Sequence, residues 1–257
     1  MLDEPHARAV LDALQAAAAA DERIAAVTLG GSAATGTMDA YSDLDVVLIC
    51  RDGDGPGVVA DLPSLAAGLG PLLAAFTGEH VDEPRLLIAL YGPPALHVDL
   101  KAIEVRDLPA RVEDGVVLWE REGAAATAMA AAPARWPPVD PQWIEDRYWP
   151  WIHYCAAKVA RGELLECIDG LAMLRGLALG PLVSHRAGRN AQGVRRLERD
   201  APEEAEALAA TIGDHSRTGC LRALHAAVAA YRRLRPDGVE RRAAAEREAV
   251  AFLDALG

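Results

Sequence analysis

The sequence predicts an α+β protein: an N-terminal domain with a mixed sheet and flanking helices, followed by an α-helical bundle. Short apolar runs bounded by turn residues, which are typical of strands, occur up to residue 119. Beyond a proline-rich segment at 133–141, apolar residues recur at helical spacing. The length of 257 residues also favours two domains. We place them at residues 1–132 and 133–257.

The N-terminal half combines one long helix with several short strands. A helix is predicted from Asp3 to Ala20, because Asp3 can cap it and Pro5 suits its first turn. A weaker helix is predicted over residues 63–76. Turn chemistry at Gly92–Ala95 predicts a hairpin between the third and fourth strands. The predicted strands cover residues 24–29, 46–49, 85–91, 96–105 and 116–119.

The spacing of apolar residues in the C-terminal half predicts about five helices. Pro150 is expected to kink or split the first of them. The Trp and Tyr side chains of residues 143–154 are expected to form core at a domain interface, although part of this cluster could stack on a base or sugar. The Arg-rich segment 184–199 is interpreted as a solvated surface, with phosphate binding as the alternative. The predicted helices cover residues 142–161, 164–179, 203–212, 220–234 and 241–256.

Charge and composition limit the classes of partner. The net charge is −12, and residues 1–132 carry 21 acidic and 8 basic side chains, against 17 and 18 in residues 133–257. Such an acidic field repels nucleic acid and attracts a polycationic small molecule, although ordinary solubility charge would look the same. No apolar run approaches the roughly 18 residues of a membrane span, and no signal-peptide pattern begins the chain. We therefore expect a cytoplasmic protein with no membrane partner.

The four cysteines are expected to be free thiols, since none forms a metal-type CxxC pair. Cys50 is interpreted as a small core residue rather than as a nucleophile.

The stretch from Leu29 to Ile49 concentrates the residues that can carry chemistry. Gly30 and Gly31 allow a sharp turn, and Ser32 is expected to cap a short helix whose first amides could meet a phosphate. Asp43 and Asp45 are two residues apart at the head of an apolar run, so they point to the same side. Mg²⁺ would relieve the repulsion between two such carboxylates. The alternative is a tight turn followed by a strand with two solvated acids.

A third carboxylate is expected on a later strand. In the run 97–101, alternation puts His97, Asp99 and Lys101 on one face. An acid within an apolar strand is costly unless it is paired or bound to a metal. Lys101 could reach a phosphate or pair with Asp99. Glu104 competes as the third acid but lies on the opposite face.

The Gly31-Ser32 pair, ten further residues and then Asp43-Leu44-Asp45 resemble the signature of the DNA polymerase beta-like nucleotidyltransferase superfamily. The closest resemblance is to the antibiotic (aminoglycoside and lincosamide) nucleotidyltransferases. It implies an EC 2.7.7-type enzyme of the aminoglycoside adenylyltransferase kind. Such an enzyme transfers a nucleoside monophosphate, AMP from ATP, to a hydroxyl of a small cationic acceptor and releases pyrophosphate.

The resemblance also implies roles for individual residues. Asp99 stands where the family has its third carboxylate. A helical-domain lysine meets the triphosphate in related enzymes, and Lys158 is the candidate here, although a snorkelling surface lysine is the plainer interpretation. The implied metal ligands and catalytic residues are Asp43, Asp45 and Asp99. The implied nucleotide-binding residues are Gly31, Ser32, Lys101 and Lys158.

Two other functions remain open at this stage. One is a nucleotidyltransferase that modifies a protein or neutralises a toxin; the other is a non-catalytic nucleotide-binding relative. The sequence leaves open the acceptor, the base preference, the oligomeric state and whether Asp99 binds metal, accepts a proton or does both.

Overall fold

A computed structural model describes residues 5–257 of the chain. The chain divides into two compact units, one ending at Trp136 and the other beginning at Pro137. The division falls within the proline-rich segment. Each unit is described by itself.

The first unit is built on one six-stranded mixed sheet, and the predicted α+β class is confirmed. The strands are β1 (Ile24–Leu29), β2 (Leu44–Cys50), β3 (Leu72–Gly78), β4 (Glu83–Tyr91), β5 (Leu96–Glu104) and β6 (Val116–Glu120). The strand order is β3-β4-β5-β2-β1-β6, in which β2 and β5 are parallel and the other neighbours antiparallel. The predicted hairpin is present between β4 and β5.

Two long helices cover one face of this sheet. Helix α1 (Pro5–Ala20) buries an apolar stripe of Val10, Leu11 and Leu14. Its proposed cap, Asp3, lies outside the described residues. Helix α3 (Gly55–Gly68) packs into the same core, which takes alternate residues of β2 and β5 from this face. We call it the covered face.

The opposite face is covered only in part. A 3₁₀ helix, Val105–Ala110, and helix α4 (Ala124–Ala130) pack over one end, where Ile49, Leu108 and Ala125 are buried. The other end, at the start of β2, carries no such cover from these elements. We call this side the open face.

One predicted element of the first unit was wrong. The weak helix over 63–76 is instead the last part of α3 followed by edge strand β3. Pro63 lies inside α3 rather than at its start. Residues 72–76 pair with β4 instead of continuing the helix, and six of the seven β3 residues have exposed or half-buried side chains, as an edge strand allows.

The second unit is helical, with the long helices near their predicted positions. The helices are α5 (Pro141–Ala160), α6 (Leu164–Leu174), α7 (Gly180–Arg186), α8 (Leu197–Asp200), α9 (Pro202–Ala209), α10 (Arg217–Leu234) and α11 (Ala243–Asp254). Helix α5 continues through Pro150, so the expected split was wrong. A π turn, Arg175–Leu179, follows α6 and leads directly into α7.

The aromatic cluster of α5 belongs mainly to the core of this helical unit. Tyr148 and Trp149 are fully buried, and the Tyr148 ring stacks on Tyr231 of α10 with centroids 3.9 Å apart. Trp143 and Tyr154 remain partly exposed. The expectation of interface core was therefore wrong for Tyr148 and Trp149, which pack against α10 instead.

One helical run meets the length and composition of a membrane span. It is Leu164–Arg186, which arises because α6, the π turn and α7 join without a break. The composition of the chain predicted no run of this kind. Half of its most apolar window is buried within the protein, including Leu171 and Leu174 in the helical core. Such burial is typical of a core helix.

A buried charged network joins three helices of the second unit. Glu145 of α5 is fully buried and accepts hydrogen bonds from Trp149 Nε1 (3.1 Å), the Tyr231 hydroxyl and the Arg242 amide (2.8 Å). Arg235 Nη1 bridges it to Glu246 of α11 at 2.9 Å. Burial alone would raise the pKa of Glu145, but these hydrogen bonds outweigh it and lower the pKa.

Glu145→Ala is expected to lower the free energy of unfolding by about 3–5 kcal/mol, because Arg235 and the Tyr231 hydroxyl lose a buried partner. Urea denaturation at pH 7 measures the loss. Since the folded-state pKa of Glu145 lies below 4.5, the wild-type advantage should shrink as pH falls below that value. Glu248→Ala, an exposed change on α11, is the control and should alter stability by less than about 0.5 kcal/mol. Equal losses of unfolding free energy in the two variants would contradict a stabilising role for the buried network around Glu145.

Candidate active site

The open face carries a cleft of about 560 Å³ that is lined by residues 45–47 of β2 and by residues 99, 101 and 103 of β5. Asp45 of β2 lies directly opposite Asp99 of β5 in the parallel pairing, and both line the cleft. Neighbouring strands are about 4.8 Å apart, so the two carboxylates project side by side from the same face. Sequence alternation predicted the face of each carboxylate but not this register.

The glycine turn packs directly against Asp45. The Gly30 amide donates to the Asp45 carbonyl at 2.8 Å. Gly31 has a φ of +54°, and a Cβ at that position would overlap the Asp45 carboxylate. Glycine is therefore required at position 31 both for its backbone conformation and for the space that Asp45 occupies. The turn and the carboxylate form one packed unit.

Ser32 does not have its predicted capping role. It lies inside the short helix α2 (Gly31–Ala34), whose N-cap residue is Gly30. Ser32 is 6% exposed, and its Oγ has no hydrogen-bond partner among the described residues. A buried hydroxyl without a partner is uncommon and costs free energy. The Ser32 hydroxyl thus lies buried beside the glycine turn with its hydrogen-bonding capacity unused by the described residues.

Asp43 comes immediately before β2, at the end of an ordered loop. Asp39 Oδ1 accepts from the Tyr41 amide at 2.9 Å, and Ser42 Oγ accepts from the Asp39 amide at 2.9 Å. Asp43 itself is not among the described residues that line the cleft.

The carboxylates at the cleft fit Mg²⁺ if a bound phosphate supplies the remaining oxygen ligands. Within residues 5–257, no group of three or more His, Cys, Asp or Glu side chains is arranged to hold a metal ion. Mg²⁺ prefers hard oxygen ligands and commonly takes one or two carboxylates together with substrate phosphates. Asp45 and Asp99 supply two such carboxylates side by side.

His97 and Lys101 flank Asp99 on β5 but have different partners. His97 Nε2 lies 2.8 Å from Asp99 Oδ1. Lys101 Nζ pairs with Glu83 Oε2 at 2.7 Å, rather than with Asp99. Arg85 Nε binds the same carboxylate at 2.8 Å. Arg85, opposed by partial burial and assisted by Lys101, lowers the pKa of Glu83 to about 2.

Sequence reasoning missed Glu83, Arg85 and Glu113, which all line the cleft. Glu83 lies beyond a register shift at the end of the β3–β4 ladder, so alternation could not place it. Glu113 Oε1 lies 3.7 Å from the position that a Cβ on Gly30 would take. It comes from the loop before β6, and no local sequence pattern indicates that this loop lies near Gly30.

Glu104 has a structural role away from the cleft, as its predicted face requires. Its Oε1 accepts from the Gly53 and Gly55 amides at 3.1 and 3.0 Å. Cys50 is fully buried, and burial raises the pKa of its thiol to about 12. All four cysteines are free and buried, as expected.

Lys158 lies on α5 in the helical unit. Its Nζ pairs with Glu163 at 2.6 Å and stands 5.0 Å from the Tyr154 ring centroid. Its contact with a nucleotide stays a prediction. In the Arg-rich segment, Arg189 pairs with Asp200 at 3.2 Å.

Comparison with known proteins adds one family match. Residues 6–55 match the family model described as streptomycin adenylyltransferase. No curated protein gives a significant sequence match.

Two solved structures align over most of the chain. An aminoglycoside 6-adenyltransferase from Bacillus subtilis is 16% identical, with 96% of this chain and 94% of that chain covered and a TM-score of 0.36. A nucleotidyltransferase-like protein from Exiguobacterium sibiricum is 11% identical, with 95% and 77% covered and a TM-score of 0.37.

The family match encloses the residues on which the resemblance was based: Gly31, Ser32, Asp43 and Asp45. Asp99 lies outside the matched residues, and its assignment to the site depends on its strand register with Asp45. The chain is therefore similar to the streptomycin adenylyltransferase family over residues 6–55.

Proposed function

We propose that the chain is a Mg²⁺-dependent nucleotidyltransferase that moves AMP from ATP to a hydroxyl of a small cationic acceptor. The observation that carries the proposal is the pairing of Asp45 with Asp99 at the mouth of the sheet, beside a glycine turn that packs on Asp45. The family match to residues 6–55 supports the same reaction class.

The proposed reaction is a single displacement at the α-phosphorus. The acceptor oxygen forms a bond to that phosphorus, and the bond to the bridging oxygen of pyrophosphate breaks, with its electron pair leaving on pyrophosphate. Asp99 takes the hydroxyl proton, and His97 at 2.8 Å holds that carboxylate in place. Phosphoryl transfer depends mainly on alignment and charge neutralisation, so positioned side chains can supply most of the catalysis.

Binding of the nucleotide is assigned to the turn and two lysines. Gly31 and the unpartnered Ser32 hydroxyl would contact the β- and γ-phosphates. Lys101, which Glu83 holds at the cleft, and Lys158 would meet the triphosphate. Asp45 and Asp99 would hold Mg²⁺ together with phosphate oxygens, and Asp43 is proposed as a further ligand from its place in the motif alone. The ion would supply neutralisation of charge on the phosphate oxygens.

The acceptor is proposed to be cationic because of the charge in the first unit. Residues 1–132 carry 21 acidic and 8 basic side chains. Such a field raises the local concentration of a cationic substrate and disfavours nucleic acid. An aminoglycoside carries several ammonium groups beside its hydroxyls and fits this requirement.

A pyrophosphate-release screen tests the proposal. ATP and GTP are each combined with Mg²⁺ and with aminoglycosides, lincosamides and simple polyols. We expect acceptor-dependent release that requires Mg²⁺ and favours ATP. Nucleotide binding without release across the panel would contradict the proposed activity and indicate a non-catalytic relative.

Asp43→Asn and Asp45→Asn are each expected to lower kcat by about 100-fold or more, because loss of a metal-binding carboxylate removes several kcal/mol of transition-state stabilisation. Thermal unfolding should remain close to wild type. Asp61→Asn on α3, which removes an exposed pair with Arg23, is the matched control and should keep full activity. Normal turnover in either site variant would refute its assigned role.

Gly31→Ala and Gly36→Ala separate backbone strain from displacement of Asp45. Both glycines have positive φ, at +54° and +66°, so both changes should cost stability by about 1–2 kcal/mol. A Cβ on Gly36 meets no atom within 4 Å, whereas one on Gly31 overlaps the Asp45 carboxylate. Pyrophosphate release should therefore fall by about 100-fold in Gly31→Ala only, since misplacement by about 1 Å is that costly. Equal activity in the two variants would argue against Asp45 as a catalytic group.

A further inference from the structure

The open face changes character immediately beyond Asp99. One row of directly opposed residues crosses four strands, in the order Asp45, Asp99, Ile88 and Phe76. In the next row, Leu90 of β4 lies opposite His97. The carboxylates are thus followed, on the same face, by apolar side chains. We call Phe76, Ile88 and Leu90 the apolar shelf.

The apolar shelf is accessible, unlike the covered face of the same strands. Phe76 is 56% exposed and Leu90 is 39% exposed, whereas Leu87 and Tyr91 of β4 are buried on the covered face. The Phe76 ring lies beside His80 with ring centroids 5.6 Å apart. Exposed apolar side chains that adjoin a polar site are typical of ligand-binding surfaces.

The shelf lies on the side of Asp45 from which an acceptor would approach in the proposed reaction. The Gly31 turn connects β1 to β2, and so it lies on the β1 side of Asp45. The shelf lies on the other side of Asp45, beyond Asp99. In phosphoryl transfer, the attacking and leaving oxygens are roughly in line. A pyrophosphate at the glycine turn therefore requires a hydroxyl that approaches over β5 and β4.

We propose that the apolar shelf binds the acceptor, which rests a hydrocarbon face on Phe76, Ile88 and Leu90 and directs one hydroxyl to Asp99. This inference rests on the proposed function. Two strand spacings separate Asp99 from Phe76, about 10 Å, which is enough for one or two saturated rings. The acceptor class is thus a cyclic alcohol with one uncharged C–H or alkyl face and with its ammonium groups turned away from the shelf.

The chemistry at the shelf is the displacement already described. The hydroxyl oxygen of the bound ring forms the bond to the α-phosphorus, its proton passes to Asp99, and pyrophosphate leaves toward the glycine turn. The shelf contributes no charge to the reaction. Its contribution is orientation, because an apolar floor beside Asp99 favours the pose that presents the hydroxyl.

The test uses Phe76→Ser, Leu90→Ser and the double variant of the full chain, with the panel acceptor that gives the fastest pyrophosphate release. We expect the acceptor KM to rise about tenfold or more in the double variant, while the KM for ATP stays unchanged. Phe76→Leu keeps an apolar surface and should restore the acceptor KM. Val116→Ser, a half-exposed apolar change on the opposite edge strand β6, is the matched control and should leave both constants unaltered.

The outcomes separate this inference from the proposed function. If the wild type releases pyrophosphate and the double variant keeps its acceptor KM, the shelf assignment alone is overturned. Release by none of the panel acceptors in the wild type overturns both. Light scattering tests the alternative that a second copy of the chain covers the shelf. If the wild type is a dimer, and Phe76→Ser dissociates it without changing the acceptor KM, β3 is an interface between copies and the shelf assignment is overturned. Thermal unfolding of each variant checks that the fold is retained.

Discussion

The parallel pairing of β2 with β5 is the constraint on which the candidate site depends. It places Asp45 opposite Asp99 and extends through Cys50 opposite Glu104. Because side chains alternate with a period of two, a slip of one residue would move Asp99 to the covered face and bring Val98 or Leu100 into the cleft. The buried residues of β2 and β5 on the covered face prevent that slip. The same apolar packing that stabilises the sheet therefore also fixes the two carboxylates.

The cations around the cleft are held by acids rather than left free to fill it. Glu83 binds Lys101 and Arg85, Glu104 binds Arg106, and Asp114 binds Arg111 at 2.6 Å. Fixed ion pairs of this kind keep long side chains in one geometry at the rim. They also leave the region with an excess of negative charge, since residues 1–132 have far more acids than bases. A cationic ligand thus meets a field whose positive groups are already compensated.

The sequence allowed much of the fold and the central motif to be predicted, because both rest on local patterns. Alternation at 97–101 placed Asp99 and Lys101 on one face and Glu104 on the other, and helical spacing located α1 and α10. What could not be predicted depends on tertiary contacts. The partner of Lys101 is Glu83, which follows an irregularity in the β3–β4 ladder. The continuity of α5 through Pro150 likewise reflects packing around Trp149 that outweighs a local preference.

The buried hydroxyl of Ser32 has a cost in the free energy of folding. A polar group that is shielded from water without a partner costs roughly 1–3 kcal/mol. Under the proposed function, a phosphate oxygen that accepted this hydrogen bond would remove the penalty, so part of the affinity would come from relief of an internal deficit in the empty protein. Ligand binding and resistance to unfolding would then be linked at a position that lies 6% exposed and directly beside Gly31. Replacement of this hydroxyl by hydrogen would in that case stabilise the empty protein and weaken the bound state.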